Sequence, residues 1–311
     1  MIQRNLSFSQ LKSWQECRRA WAYRYRDGYR PKKPKLEFMR GSLVHLGMEH
    51  CVPLTASMVG YGWERAVAKW EEEWNPPGAE LMVEPGWTEG CFEIVQSALA
   101  EFHRDWEVLR DQDGPLIERR LYINLDRYYQ GIVFVPDVIA RRRTGPYRDG
   151  IFTVDFKTYG KMKTDIAGDV DLQGAIYQKG ARTNGFPAIG SSLLVLETEP
   201  KKTIRIRKDG QPYAGDQERF DGWKAVKGEI LTPRGEDFVQ GIWEQAVLPL
   251  VHEMYDAELR ATNDVLPPHL NYYGCQFCEF FAPCQARLKG HDEDVILADS
   301  YKRRDSRLKG V

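Results

Sequence analysis

The chain has 311 residues, 42% of them hydrophobic and 29% charged, with a formal net charge of −1, which fits a folded globular protein and excludes disordered and fibrous classes. No apolar run approaches the roughly 18 residues a membrane helix needs, and the start MIQRNLSFSQ lacks the apolar core of a signal peptide. A soluble, cytoplasmic protein with no membrane partner is expected.

The stretch Phe8 to Tyr25 carries aromatics at helical spacing, with Ser7 or Ser9 as N-cap. Phe38 to Cys51 also reads as helix, and Thr88 to Arg110 as a long amphipathic one. Three strand-like runs follow, Ile117 to Leu125, Gly131 to Arg141 and Ile151 to Lys157. Helical period returns over Asp169 to Arg182; Ser191 to Glu197 and Thr203 to Arg207 read as further strands, with a linker near Asp209 to Gly215. Phe238 to Leu259 is a long helix interrupted at Pro249.

Charge is unevenly spread. Residues 1 to 50 hold eleven Lys and Arg against four acids, and further basic clusters lie at Arg141 to Arg143, Lys161 and Lys163, Lys201 to Lys208 and Lys302 to Lys309. Such segregation is expected where one face meets a polyanion, although ordinary surface charge clusters too. No G-x4-G-K-[ST] loop is present, so an ATP-driven motor is not expected.

Six cysteines occur, and Cys275, Cys278 and Cys284 form C-x2-C-x5-C. In a large chain without a secretory signal, close-set cysteines point to a metal or a cluster rather than to disulfides. Three ligands need a fourth; Cys17, in a basic and aromatic stretch, is the candidate, whereas Cys51 and Cys91 suit buried thiols. Four thiolates suit a 4Fe-4S cluster or structural zinc, and one knuckle with a remote partner favours the cluster.

Asp137 lies in the apolar run GIVFVPDVIA, and Asp155 and Lys157 stand in IFTVDFKT. Strand alternation puts Asp155 and Lys157 on one face. If the two strands pair as a hairpin, Asp137 meets Asp155, and two carboxylates so placed repel unless a cation such as magnesium or manganese lies between them. Lys157 can then orient the attacking water. Glu118, in IERRLYI, reads either as an acid standing behind this site or as a surface strand residue.

VPD followed by DFK resembles the PD-(D/E)XK nuclease superfamily, and Gln173 and Tyr177 in QGAIY match the Q-x3-Y motif of its RecB-like branch. RGSLVH, ending at His45, is similar to the G-x-x-V-H motif that supplies a further metal ligand, with His50 as a rival. With Cys17 and the C-x2-C-x5-C segment, the set resembles the iron-sulfur exonucleases of the CRISPR-associated RecB-like family and the nuclease domain of AddB. No motif is recognised from Pro53 to Leu116 or from Gly185 to Pro268.

The resemblance implies an α/β fold, a mixed central sheet flanked by helices, with N-terminal helices and a C-terminal cysteine segment joined by a cluster. It implies one domain over residues 1–311, with a helical part at 1–52 holding Cys17 and His45, a catalytic core at 115–208 and the cysteine segment at 270–290. The implied activity is metal-dependent hydrolysis of DNA, on single strands or ends, leaving 5'-phosphate and 3'-hydroxyl termini. His45, Asp137, Asp155 and the backbone carbonyl of Phe156 would hold Mg2+ or Mn2+. Asp137, Asp155, Lys157, Gln173 and Tyr177 would carry catalysis, and Cys17, Cys275, Cys278 and Cys284 a structural 4Fe-4S cluster. Trp14, Trp21 or Tyr23 would offer stacking surfaces to single-stranded DNA. A zinc-stapled nuclease and an inactive DNA-binding adaptor of the same fold are the alternatives. Phage recombination, host DNA repair and CRISPR spacer acquisition are the settings the resemblance allows, with a partner protein in recombination or CRISPR adaptation.

Overall fold

The computed structural model describes residues 2–32, 36–74, 87–125, 127–159, 166–197, 226–260, 266–270 and 272–303. In chain order its strands are β1 (Ile2–Ser7), β2 (Tyr29–Pro31), β3 (Trp106–Val108), β4 (Arg110–Asp111), β5 (Gly114–Pro115), β6 (Leu121–Asn124), β7 (Tyr129–Phe134), β8 (Val138–Arg142), β9 (Ile151–Tyr159), β10 (Ala188–Glu197), β11 (Val226–Pro233) and β12 (Tyr301–Arg303). The first helices are α1 (Phe8–Glu16), α2 (Arg18–Trp21), α3 (Leu36–Cys51), α4 (Val59–Trp74), α5 (Trp87–Asp105) and α6 (Ile166–Thr183). Among the described residues no helix is long and apolar enough to cross a membrane.

The chain divides into two units where the sequence led to the expectation of one domain. The first comprises Met1–Pro34, Arg120–Phe134 and Glu236–Val311, the second Lys35–Arg119 and Val135–Gly235. The stretch 1–52 therefore gives Cys17 to the first unit and His45 to the second.

The second unit is a mixed sheet in the order β11-β10-β9-β8-β3, flanked by helices. β8 and β9 pair antiparallel with Val138 opposite Val154, while β10 lies parallel to β9 and is reached through α6. Alternate residues of β9, Phe152, Val154 and Phe156, are buried with Leu194 and Leu196 of β10 in one core with residues of α3, α4 and α5. Helix α5 ends at Asp105, earlier than the periodicity predicts, because Trp106 to Val108 pair with Arg142 to Ala140 and Trp106 is buried. Thr203 to Arg207, the linker near Asp209 and the basic residues Lys161, Lys163 and Lys201 to Lys208 lie outside the described residues.

Two glycines set helix-to-sheet distances in this unit. A Cβ on Gly41 of α3 would stand 2.7 Å from Thr158 Oγ1, so α3 approaches β9 more closely there than any side chain would permit. On Gly174 of α6 it would stand 2.2 Å from Ser191 Oγ of β10. His45 follows Gly41 by four residues and so shares its helix face, and Gly174 lies between Gln173 and Tyr177.

In the first unit β7 pairs with β1 in parallel and with β6 antiparallel, and β12 pairs with β2. The run Gly131 to Arg141, which reads as one strand, is therefore two strands in different sheets. Pro136 has no N–H to continue a ladder, and Val135 to Asp137 form the break. Ser7 caps α1, its hydroxyl accepting from Gln10 N at 3.3 Å. The helix expected to continue to Tyr25 is interrupted at Cys17, whose backbone is extended (φ −164, ψ 112), and resumes as α2 and a π-helical turn, Ala22–Arg26. A second π turn, Trp243–Val247, splits the long C-terminal helix into Glu236–Ile242 and Leu248–Arg260 just ahead of Pro249.

One expectation fails here. Trp14, Trp21 and Tyr23 are buried and cannot stack on DNA. Trp14 and Trp21 meet edge to face at 5.0 Å, and Tyr23 packs with Phe280, Leu297 and Tyr301. Part of the N-terminal basic excess is paired: Arg4 meets Glu258, Arg18 Glu253, Arg24 Glu279 and Arg26 Asp27. In the second unit Arg142 likewise pairs with Glu229 at 2.6 Å while lying over the Trp106 ring.

Candidate active site

The β8–β9 hairpin places Asp137, just before β8, beside Phe156 of β9. Asp137 is buried, and its Oδ2 accepts from Phe156 N at 2.5 Å. The N–H and C=O of one strand residue point the same way, so the Phe156 carbonyl lies on the Asp137 side of β9. Asp155 and Lys157, two apart on β9, form an ion pair on one face of the strand. Gln173 Nε2 of α6 donates to Asp155 Oδ1 at 3.2 Å, and Gln173 also bonds Tyr177, one turn further along.

Helix α3 brings His45 to the free side of Asp137. His45 Nε2 lies 3.6 Å from Asp137 Oδ1 and 2.8 Å from Glu118 Oε1. His45, Glu118 and Asp137 present ligand atoms all within 4.8 Å of one another, a grouping suited to a divalent cation. Asp155 is not one of this group, its oxygens being engaged by Lys157 and Gln173.

Glu118 reaches this position through an unusual backbone. Its φ is +47, in the left-handed region that glycine favours. Two backbone bonds hold it there: Ile139 N donates to Leu116 O at 2.9 Å, and Glu118 N donates to Asp137 O at 3.0 Å. Ile117 bridges Val138, so residues 116–118 run along the start of β8. The sequence read Glu118 as standing behind the site or on a surface strand; the structure puts it in direct contact with His45.

The electrostatics are those of a site short of positive charge. Burial, then the nearby Asp155 carboxylate, hold the Asp137 pKa well above the usual carboxylate range, against the pull of His45 and Lys157. Burial opposes charge on His45, yet Asp137, Glu118 and Asp155 outweigh it and push His45 up to about 9. Burial, with Asp155 and Asp137, also raises the Tyr177 phenol well above its ordinary value. His50 is no rival: burial lowers its pKa, and it faces Glu49, Lys69 and Arg65 rather than these acids. A larger cavity, about 230 Å³, lies on the α5 face against Met48, Phe102, Phe156 and Leu196 and touches none of the site acids.

Compared with known proteins, residues 5–285 match the family model described as the PD-(D/E)XK nuclease superfamily. The chain belongs to the PD-(D/E)XK nuclease superfamily. Two solved structures are similar to this superfamily member. A protein from Eubacterium rectale described as a candidate exonuclease shares 16% identity, with 90% of this chain and 87% of that chain covered at a TM-score of 0.46. SSO0001 shares 13% identity, with 78% and 84% covered at a TM-score of 0.34. No curated protein matches the chain.

The nuclease chain carries a second constellation, wholly in its first unit. Cys17, Cys275, Cys278 and Cys284 are unpaired and half-buried. Cys17 Sγ accepts from His269 N at 3.4 Å, and Cys275 Sγ donates to His269 O at 3.9 Å. Arg19 Nη1 donates to Cys284 Sγ at 3.5 Å. Burial pushes the Cys278 and Cys284 thiols up, and each is raised further by Cys17 among its neighbours. The four thiols thus face a common region. Cys51 and Cys91 are fully buried in the second unit's core, where burial pushes them up to about 11 and about 12.

Proposed function

We propose that the chain is a divalent-metal-dependent deoxyribonuclease acting as an exonuclease on single strands or DNA ends, with a structural 4Fe-4S cluster in its first unit. The observation that carries the nuclease reading is the meeting of Asp137, Glu118 and His45 beside the Asp155–Lys157 pair. Two carboxylates and one imidazole around one point, with the Asp155 carboxylate close by, supply the kinds of donor that Mg2+ or Mn2+ takes.

His45, Glu118 and Asp137 would hold the ion, with Asp155 and the Phe156 carbonyl completing the set. When bound, the ion polarises the phosphate and lowers the pKa of bound water. Lys157 would place the attacking water and neutralise charge on the phosphate oxygens. Gln173 fixes the Asp155 carboxylate in one orientation, and Tyr177, its phenol kept protonated by burial and the two aspartates, holds Gln173 in turn. The preference for ends and the 5'-phosphate product rest on the motif resemblance.

The donor set of the first unit suits a cluster. A single C-x2-C knuckle with one remote partner favours the cluster over structural zinc, whose four-thiolate sites usually take two such knuckles.

Protein purified without oxygen and given end-labelled linear DNA and covalently closed circles, with and without Mn2+, tests the assignment. Metal-dependent degradation of linear DNA with circles spared is expected. Cutting of circles at the same rate overturns the exonuclease reading, and no cleavage of any DNA with metal present overturns the nuclease reading.

A further inference from the structure

Arg19 is buried, with 8% of its surface exposed, and sits two residues after Cys17 at the start of α2. Its Nε donates to Leu266 O at 3.1 Å and its Nη1 to Cys284 Sγ at 3.5 Å. Its neighbours are different: Arg18 and Arg24 each reach a glutamate. Among the described residues no carboxylate lies within ion-pair distance of Arg19. A buried guanidinium cannot shed its proton and is costly without a counter-charge. Besides the Leu266 carbonyl, its hydrogen-bond partner is a cysteine sulfur.

We propose that Arg19 is the internal counter-cation of the cysteine-ligated group and, through its bond to Cys284, sets that group's reduction potential. This rests on the iron-sulfur reading given above. One-electron reduction by an external donor adds one negative charge to the cluster and moves no proton in this scheme. A fixed positive charge at a ligand sulfur stabilises the reduced form more than the oxidised one, and hydrogen bonds to the sulfurs act in the same direction. The Leu266 carbonyl matters because it holds the guanidinium plane, so that one N–H stays directed at the sulfur. His269 N–H, donating to Cys17, is a second and uncharged donor to the same set.

The experiment is a mediated redox titration, followed by visible absorbance and electron paramagnetic resonance, of anaerobically purified full-length wild type and the variants Arg19→Met, Arg19→Gln and Arg19→Lys. Iron, sulfide and zinc are measured in each. The neutral variants are expected to bind iron and sulfide but titrate at a more negative potential, with the ratio of reduced to oxidised cluster at a fixed potential near the wild-type midpoint falling about tenfold, equivalent to about 59 mV for one electron. Arg19→Lys, which keeps the charge without the two-point hold, is expected between them and wild type. A loaded Met or Gln variant at the wild-type potential overturns the role of Arg19 while leaving the cluster standing. Wild type that carries zinc and no iron overturns the cluster reading and this role together. If neither neutral variant holds a cluster but Lys does, the charge is needed for assembly and the counter-cation stands; if Lys also fails in soluble, folded protein, the counter-cation assignment falls.

Discussion

Glu118 Oε1 stands 2.8 Å from His45 Nε2, a contact between residues 73 apart in sequence. It exists because Glu118 adopts a φ of +47 and because α3 comes close to β9 at Gly41. A non-glycine residue held in this region costs about 1–3 kcal/mol, and such strain persists where surrounding bonds enforce it. Glu118→Gly removes the strain but also the pair with His45, so the two effects offset and thermal stability in the absence of metal should stay close to wild type. Affinity for Mn2+, measured by calorimetry, should fall about tenfold, near 1.4 kcal/mol, and cleavage should recover in part at high Mn2+. Unchanged Mn2+ affinity in this variant removes Glu118 from the ligand set.

Asp155 and Lys157 make the sharpest catalytic test. Asp155→Ala loses a carboxylate that Gln173 and Lys157 both hold, and Lys157→Ala loses the cation that would place water. Each should lower the cleavage rate by roughly a hundredfold or more, with DNA binding and the circular dichroism spectrum kept. Near-normal cleavage by either variant contradicts the mechanism.

These residues were legible in the sequence because their geometry is local. Period-two alternation places Asp155 with Lys157, helical spacing places Gln173 with Tyr177, and a hairpin joins Asp137 to both. Glu118 was only half legible, since its left-handed backbone is imposed by bonds to Asp137 and Ile139 rather than by its own residue type. Part of the N-terminal charge excess is offset in a way the sequence hides for a similar reason. Arg4, Arg18 and Arg24 find Glu258, Glu253 and Glu279 more than 200 residues away, which counting charges in a window does not reveal. Helical aromatic spacing correctly marked a face of α1 and α2, but the face turns into the core rather than toward a ligand.

His45 gives a pH test in metal-free protein. Its folded pKa is raised from 6.5 to about 9. The stability it contributes is therefore fully present below about pH 6.5 and lost as pH rises through about 9. Thermal unfolding in chelator should show a decline over that window that His45→Gln flattens. A metal ion needs the neutral imidazole, so binding must expel the proton and Mn2+ affinity should climb across the same range. An identical pH profile for wild type and His45→Gln would show that His45 does not carry the charge.

The six cysteines separate by surroundings into two groups that should behave oppositely. Cys17, Cys275, Cys278 and Cys284 are half-buried, Cys17 and Cys275 beside the His269 backbone and Cys284 beside Arg19, whereas Cys51 and Cys91 are buried among apolar side chains. Changing any of the first four to serine should strip iron and sulfide from anaerobically purified protein. Because Cys17 lies far in sequence from the other three, the loss also releases a long chain closure, so soluble yield and melting temperature should fall. Cys51→Ser and Cys91→Ser instead bury a hydroxyl where a thiol packed, at a cost of about 1–3 kcal/mol, and should keep full iron and sulfide. A complete cluster in Cys17→Ser would mean that the fourth ligand lies elsewhere, and His269, whose backbone already touches both Cys17 and Cys275, would be the next residue to replace.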